Sequence, residues 1–227
     1  YKRQMQELIR MGVETIITFD AHDNRVQNAI PNNGFDNFFT SYQFISTILN
    51  DMPDLIVDNE HLMTISPDEG GMRRAVFYSN QLGVDMGMFF KRRNYSTLVN
   101  GEHPVISMEF LGNDVSGKDV IIVDDMIASG KTVLEVAKEL KKRNAARVII
   151  CATFGLFNDG LEELDQAYKE KVFDHIYTTN LCYCPSALKE RPYYHNVDLS
   201  RYIALIIDTL NPVSYTHLRA HETSLHL

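Results

Sequence analysis

Short runs of consecutive apolar residues alternate with segments whose apolar residues recur at helical spacing. The clearest pair is DVIIVDD (119–125) followed by SGKTVLEVAKELKKRNA (129–145), with Val133, Val136, Ala137 and Leu140 on one helical face. A strand that is apolar on both sides must be buried on both faces, which requires a parallel sheet covered by helices on each side. The same alternation predicts strands at ETIITFD (14–20), LMTISPD (62–68), VDMGMFFKRR (84–93), HPVISMEFLG (103–112), ARVIICATFG (146–155) and FDHIYTTN (173–180). It predicts helices over KRQMQELIRMG (2–12), FTSYQFISTILNDM (39–52), GMRRAVFYSNQLG (71–83), GLEELDQAYKEK (160–171) and DLSRYIALIIDTL (198–210), the last capped by Asp198 or Ser200. The fold class is therefore α/β. In such sheets ligands bind beyond the carboxyl ends of the strands, and Asp20, Asp68, Asp124 and Asp125 all fall at those ends.

The composition sustains this reading and excludes others. Hydrophobic residues make up 44% of 227 residues, enough for a sizeable core. A net charge of −8 with no basic block argues against a nucleic-acid partner, though not against a small phosphorylated ligand. No apolar run approaches the length of a membrane span. Cys151, Cys182 and Cys184 are few and odd in number, as in a reducing compartment, so a cytoplasmic location is expected. Cys182-x-Cys184 has no second pair with which to build a metal site and reads as packing. The chain starts at Tyr1 within a helical pattern, so a missing front is expected. PVSYTHLRAHETSLHL (212–227) has no period and resembles translated sequencing-adapter read-through, so it is expected to be a non-native tail.

VIIVDDMIASGKTV (120–133) holds the candidate chemistry. Gly130-Lys131-Thr132 would end a P-loop, but the first glycine of that motif would stand where Asp125 stands. A carboxylate there would face the phosphates, so the P-loop is rejected. A second geometry satisfies the same residues. The strand delivers Asp124 and Asp125 to the sheet edge, and Ala128 to Thr132 turn into a helix whose first N–H groups suit a dianionic phosphate. Ser129 and Thr132 add hydroxyl donors, and the two acids accept from vicinal hydroxyls. The ligand so described is a ribose bearing a 5-phosphate. An acidic strand end before a capped helix would explain Ser129 but not the paired aspartates.

This loop resembles the signature of the type I phosphoribosyltransferase fold. Three further segments, in matching order and spacing, resemble the ribose-phosphate pyrophosphokinases (PRPP synthetases). TFDAHDNRVQNAIP (18–31) is similar to their Asp-x-His segment, ISPDEGGMRRA (65–75) to their Ser-Pro-Asp-x-Gly-Gly loop, and MFFKRRNYS (88–96) to the start of their mobile catalytic loop. The resemblance covers residues 1 to about 211. It implies that the C1 hydroxyl of ribose 5-phosphate attacks the β-phosphorus of ATP, giving PRPP and AMP. It implies Lys91 and Arg93 as catalytic cations, with charge neutralisation and positioning as the main needs of the reaction. It implies Asp124, Asp125, Ala128, Ser129, Gly130, Lys131 and Thr132 at the ribose 5-phosphate. His22, Asp68, Gly70 and Gly71 are implied at ATP and pyrophosphate, and His22 and Asp68 at Mg2+. A homo-oligomer is also implied, with residues 1–36 as the remnant of an N-terminal phosphoribosyltransferase-like domain and 37–211 as the C-terminal one.

The chain departs from that pattern at two places. Ala128 stands where the loop usually has a third acid, and Lys131 where a glycine precedes the threonine. Lys131 either adds charge beside the phosphate or points to solvent. A phosphoribosyltransferase consuming PRPP, and a silent regulatory relative of the synthetases, are the alternatives.

Overall fold

The computed structural model describes residues 2–93 and 105–210, and within them the side chains of all but 91–93 and 105–107. The tail expected over 212–227 lies outside the described residues. The elements are α1 (Lys2–Arg10), β1 (Thr15–Phe19), a 3-10 helix (Asn24–Ala29), β2 (Gly34–Phe38), α2 (Ser41–Asp51), β3 (Leu62–Ser66), α3 (Met72–Leu82), β4 (Asp85–Arg93), β5 (Val105–Leu111), β6 (Asp119–Ile127), α4 (Lys131–Lys142), β7 (Val148–Gly155), α5 (Glu162–Lys169), β8 (His175–Thr179), α6 (Ser186–Lys189), β9 (Tyr194–Val197) and α7 (Ser200–Leu210).

Seven strands form one sheet in the order β5-β4-β3-β6-β7-β8-β9. All neighbours run parallel except β4 and β5. Successive side chains on a strand face opposite ways, and β6 shows the consequence. Val120 and Ile122 pack with Val133, Val136, Ala137 and Leu140 of α4 and with Leu164 of α5. Ile121 and Val123 pack on the other face with Phe44 and Ile48 of α2 and with Ala75 and Tyr78 of α3. Both faces are thus covered, as the continuous apolar strands predict. Each fully buried Leu, Ile, Val or Phe side chain contributes about 1.5–3 kcal/mol.

Two strands escaped the sequence pattern. β2 (GFDNF) carries Asp and Asn, which are poor strand formers, yet pairs parallel with β1 from Thr15↔Gly34 to Phe19↔Phe38. Gly34 makes this register attainable, because a Cβ there would lie 2.7 Å from Thr15 Oγ1. β9 is a four-residue edge strand on β8. The chain forms two compact units, Tyr1–Val197 and Asp198–Leu227. The first holds both sheets, including the segment 1–36 expected as a domain remnant. In the second, the Asp198 carboxylate accepts from the Ser200 N–H at 2.9 Å, so the acid foreseen as a cap engages the start of α7. Among the described residues no helix is long and apolar enough to cross a membrane.

Candidate functional site

From β3 the chain crosses to β4 on one side, while from β6 it crosses to β7 on the other. The crevice between these two diverging crossovers is where ligands of open α/β sheets bind. It opens beyond the carboxyl ends of β3 and β6, beside the end of β1. A cleft of about 570 Å3 there is lined by Asp20, His22, Asp68, Gly70, Gly71, Arg73, Arg74, Asp124 and Asp125, among others. A recess of about 170 Å3 adjoins it, lined by Ala128, Ser129, Gly130, Thr132 and Val133. His22, Asp68, Asp124 and Asp125 border both. Segments more than 100 residues apart in sequence therefore meet at one junction.

The floor of the cleft is a buried ion pair that sequence reasoning missed. Asp20 closes β1 with a left-handed φ of 44°, and its N–H donates to Phe38 O of β2 at 2.8 Å. Its carboxylate receives Arg74 Nε at 3.0 and 2.9 Å, Arg74 Nη2 at 2.9 Å and Thr153 Oγ1 at 2.7 Å. Thr40 Oγ1 lies 3.0 Å from the Thr153 hydroxyl and continues the buried chain. Asp20 is thus spent on protein partners rather than exposed at an open strand end. Burial alone would depress the Arg74 guanidinium, but the Asp20 charge and hydrogen bonds overcome this and raise it. Arg74 lies one helical turn before Tyr78 on the core side of α3. An arginine on the apolar face of an amphipathic helix was the available signal.

Asp124 and Asp125 sit within β6, not at its end. The strand runs two residues further than 119–125 predicts, because Met126 and Ile127 pair with Phe154 and Gly155 of β7. Asp125 Oδ2 lies 2.8 Å from His22 Nδ1. Arg74 stands 3.7 Å from each acid, with Nη1 toward Asp124 Oδ1 and Nη2 toward Asp125 Oδ1. The Asp125 N–H donates to Asp124 Oδ1 at 2.9 Å. Burial, then the hydrogen bond and negative charge of Asp125, push the Asp124 carboxyl up to about 8. Burial also works to raise Asp125, but hydrogen bonds from Asp124 and His22 and the charge of Arg74 prevail and hold it low. His22 is raised by its hydrogen bond to Asp125.

The two loops differ in how much backbone they offer. After β3, Asp68 Oδ1 accepts from the Gly71 N–H at 3.1 Å, so that amide is committed within the turn. Gly71 is required by close approach rather than by φ, since a Cβ would meet Ser66 Oγ at 2.8 Å. After β6, α4 starts at Lys131, two residues later than 129–145 predicts. Gly130 serves as its N-cap at φ 89° with no side-chain cap. The Ser129 hydroxyl makes only a long contact to the Lys131 N–H, 3.4 Å. The helix N-terminus thus opens into the recess without a capping side chain. Lys131 does not line that recess; its Nζ lies 3.4 Å from Asp159 and the side chain is exposed. Lys91 and Arg93 are placed by backbone alone, at the end of β4, where the pairing register shifts between Arg92 and Arg93. Their side chains lie outside the described residues.

Among the described residues no three His, Cys, Asp or Glu side chains form a metal cage. Mg2+ does not require one, since it is held by one or two carboxylates, waters and substrate phosphate oxygens. Asp68 fits that pattern, and His22 retains Nε2 as the ring nitrogen not engaged by Asp125.

Residues 41–186 match the family described as phosphoribosyl transferase domain. The chain is 31% identical over 176 residues to ribose-phosphate pyrophosphokinase of Mycoplasma genitalium, covering 76% of this chain and 48% of that one. It is 33% identical over 179 residues to the enzyme of the same name from Vibrio parahaemolyticus, covering 76% and 50%. The chain spans about half the length of these curated relatives. The crystal structure of phosphoribosylpyrophosphate synthetase from Mycobacterium smegmatis superposes with a TM-score of 0.74 at 23% identity, over 92% of this chain and 63% of that one. At that identity the likeness shows the fold.

Proposed function

The chain belongs to the phosphoribosyl transferase domain family, and from that premise we propose that it works in PRPP synthesis, transferring the pyrophosphoryl group of ATP to ribose 5-phosphate. One observation carries the proposal. His22, Asp68, Asp124 and Asp125 border two adjoining recesses, one opening on a helix N-terminus and one on the Gly70-Gly71 turn. Two anionic ligands are thereby offered places side by side. The 5-phosphate takes the small recess, met by the first N–H groups of α4 and the hydroxyls of Ser129 and Thr132. The ribose hydroxyls face the acids of β6. The triphosphate lies along the larger cleft past Asp68, Gly70 and His22, and Lys91 and Arg93, at the end of β4, are the catalytic cations of this reading.

The C1 hydroxyl attacks the β-phosphorus, the bond between that phosphorus and the α–β bridging oxygen breaks, and AMP leaves. Negative charge grows on the β-phosphoryl oxygens and on AMP, so cations held there act on the transition state. Mg2+ when bound supplies charge neutralisation on the phosphates, with Asp68 and His22 as its protein ligands. The acidic junction holds three carboxylates around Arg74, so an anionic substrate arriving without its cation is disfavoured. Residues 1–36 as the remnant of a first phosphoribosyltransferase-like domain, homo-oligomeric assembly and a cytoplasmic location belong to the same proposal.

Calorimetric titration with ribose 5-phosphate and Mg2+ tests the binding half. Product analysis tests the reaction: AMP from ATP plus ribose 5-phosphate supports the synthetase, whereas pyrophosphate from PRPP plus a base supports a phosphoribosyltransferase. Ala128, which gives the loop no third acid, favours a second reading as a silent regulatory subunit; binding of ribose 5-phosphate without AMP formation would select it.

A further inference from the structure

Within the site proposed above, and resting on that reading, we infer that Lys131 is a two-position cation: Asp159 holds it beside the small recess, and a dianionic phosphate entering the recess draws it away from Asp159. The recess has use for such a cation. Its lining includes Asp68, Asp124 and Asp125 but no lysine or arginine. The free N–H groups that open α4 supply only about half an elementary charge, against a ligand that carries two. Lys131 is the first residue of α4 and directly follows Gly130, which lines the recess.

Lys131 stands against the preference of its helix. Negative side chains favour the first turn of a helix and positive ones the last. α5 obeys, with Glu162, Glu163 and Asp165 in its first turn. α4 has no acid in its first turn and begins on a lysine. Such a choice weakens the helix and adds positive potential at the place where an anion would bind.

Asp159 offsets the conflict. Lys131 Nζ lies 3.4 Å from Asp159 Oδ2, and both side chains are more than half exposed. The segment that carries Asp159 is fastened to the phosphate loop by backbone. The Leu156 N–H donates to Ile127 O at 2.9 Å, and the Asn158 N–H donates to Ala128 O at 2.8 Å. The carboxylate is therefore placed by the loop itself, whereas the ammonium moves on a flexible four-carbon stem. An exposed ion pair is weakly held, so a dianion, with twice the charge of a carboxylate, competes for the lysine. Asp159 is thus a positioning residue that acts through Lys131, and the exchange favours a dianion over a singly charged group at the same place.

Calorimetric titration with ribose 5-phosphate and Mg2+ of the unaltered chain, Lys131→Gln, Asp159→Asn and the double variant tests the exchange. Lys131→Gln should weaken binding about fivefold and make it less sensitive to added salt. Asp159→Asn should tighten binding about two- to threefold, and that gain should vanish in the Lys131→Gln background. A gain of equal size in that background would make Asp159 a distant repulsive charge and overturn the exchange. Unchanged affinity in Lys131→Gln would leave the lysine a solvated helix residue and overturn it as well. Both of those outcomes leave the proposed function standing, whereas failure of the unaltered chain to bind ribose 5-phosphate overturns both readings.

Discussion

Arg74 is the residue on which most of the junction's charge depends. Its guanidinium makes a two-point contact with buried Asp20 and reaches toward both acids of β6. A planar fork can do this and an ammonium cannot. Arg74→Met leaves Asp20 charged and unpaired in the interior, a loss of about 3–5 kcal/mol, measurable by urea unfolding. Arg74→Lys should recover only part of it. Equal stability of Arg74→Met and the parent would show that Asp20 is not held as a buried anion. Asp124 gives the protein a pH signature. Its folded carboxyl is raised from 3.8 to about 8, so the folded state keeps a proton that the unfolded chain has released. That contribution is complete below the unfolded value and declines as the pH climbs toward the folded one. His22 is shifted in the same sense, but its exposure limits its weight. Melting temperature should therefore fall between pH 5 and 8, and Asp124→Asn should flatten the decline. A parallel curve for the variant would assign the slope to other groups.

At the scale of elements, two turns convert strands into a site. The β3–α3 turn is tight because Asp68 folds back on the Gly71 N–H while Ser66 Oγ donates to Asp68 O at 2.7 Å. Gly71→Ala drives a methyl into that Ser66 hydroxyl and should cost about 1–3 kcal/mol. It should also weaken nucleotide binding more than sugar-phosphate binding. Unchanged stability would mean the turn relaxes freely. The β6–α4 turn behaves differently. β6 and α4 were legible from apolar spacing, yet their junction was predicted two residues early on each side. Spacing reports which side chains are buried, whereas pairing of Met126 and Ile127 with β7 and the left-handed Gly130 decide where strand ends and helix begins. Lys131 is a comparable case. Its position after the loop glycine is read directly, but its turn toward Asp159 depends on the β7–α5 connection.

At the scale of the whole molecule, a ligand that binds only the folded junction stabilises it by mass action. Ribose 5-phosphate at about a hundredfold over its dissociation constant should add about 2.7 kcal/mol, read as a rise in melting temperature that a roughly tenfold loss of affinity in Asp124→Asn would halve. A rise of the same size with inorganic phosphate alone would move the recognition from the sugar to the helix N-terminus. The arrangement under test was partly written in the chain itself. Unbroken apolar strands between amphipathic helices require a sheet buried on both faces, and acids at strand ends mark its carboxyl edge, because burial and periodicity are local properties of the residues. Adjacency is not local. That Asp20 is neutralised by Arg74, that His22 rests on Asp125, and that GFDNF completes a sheet with β1 all depend on segments 19 to 103 residues apart or on a register that no single segment specifies. Charges and hydrogen bonds act over a few ångströms in space, so only the folded chain could say which acid is spent and which is left for a ligand.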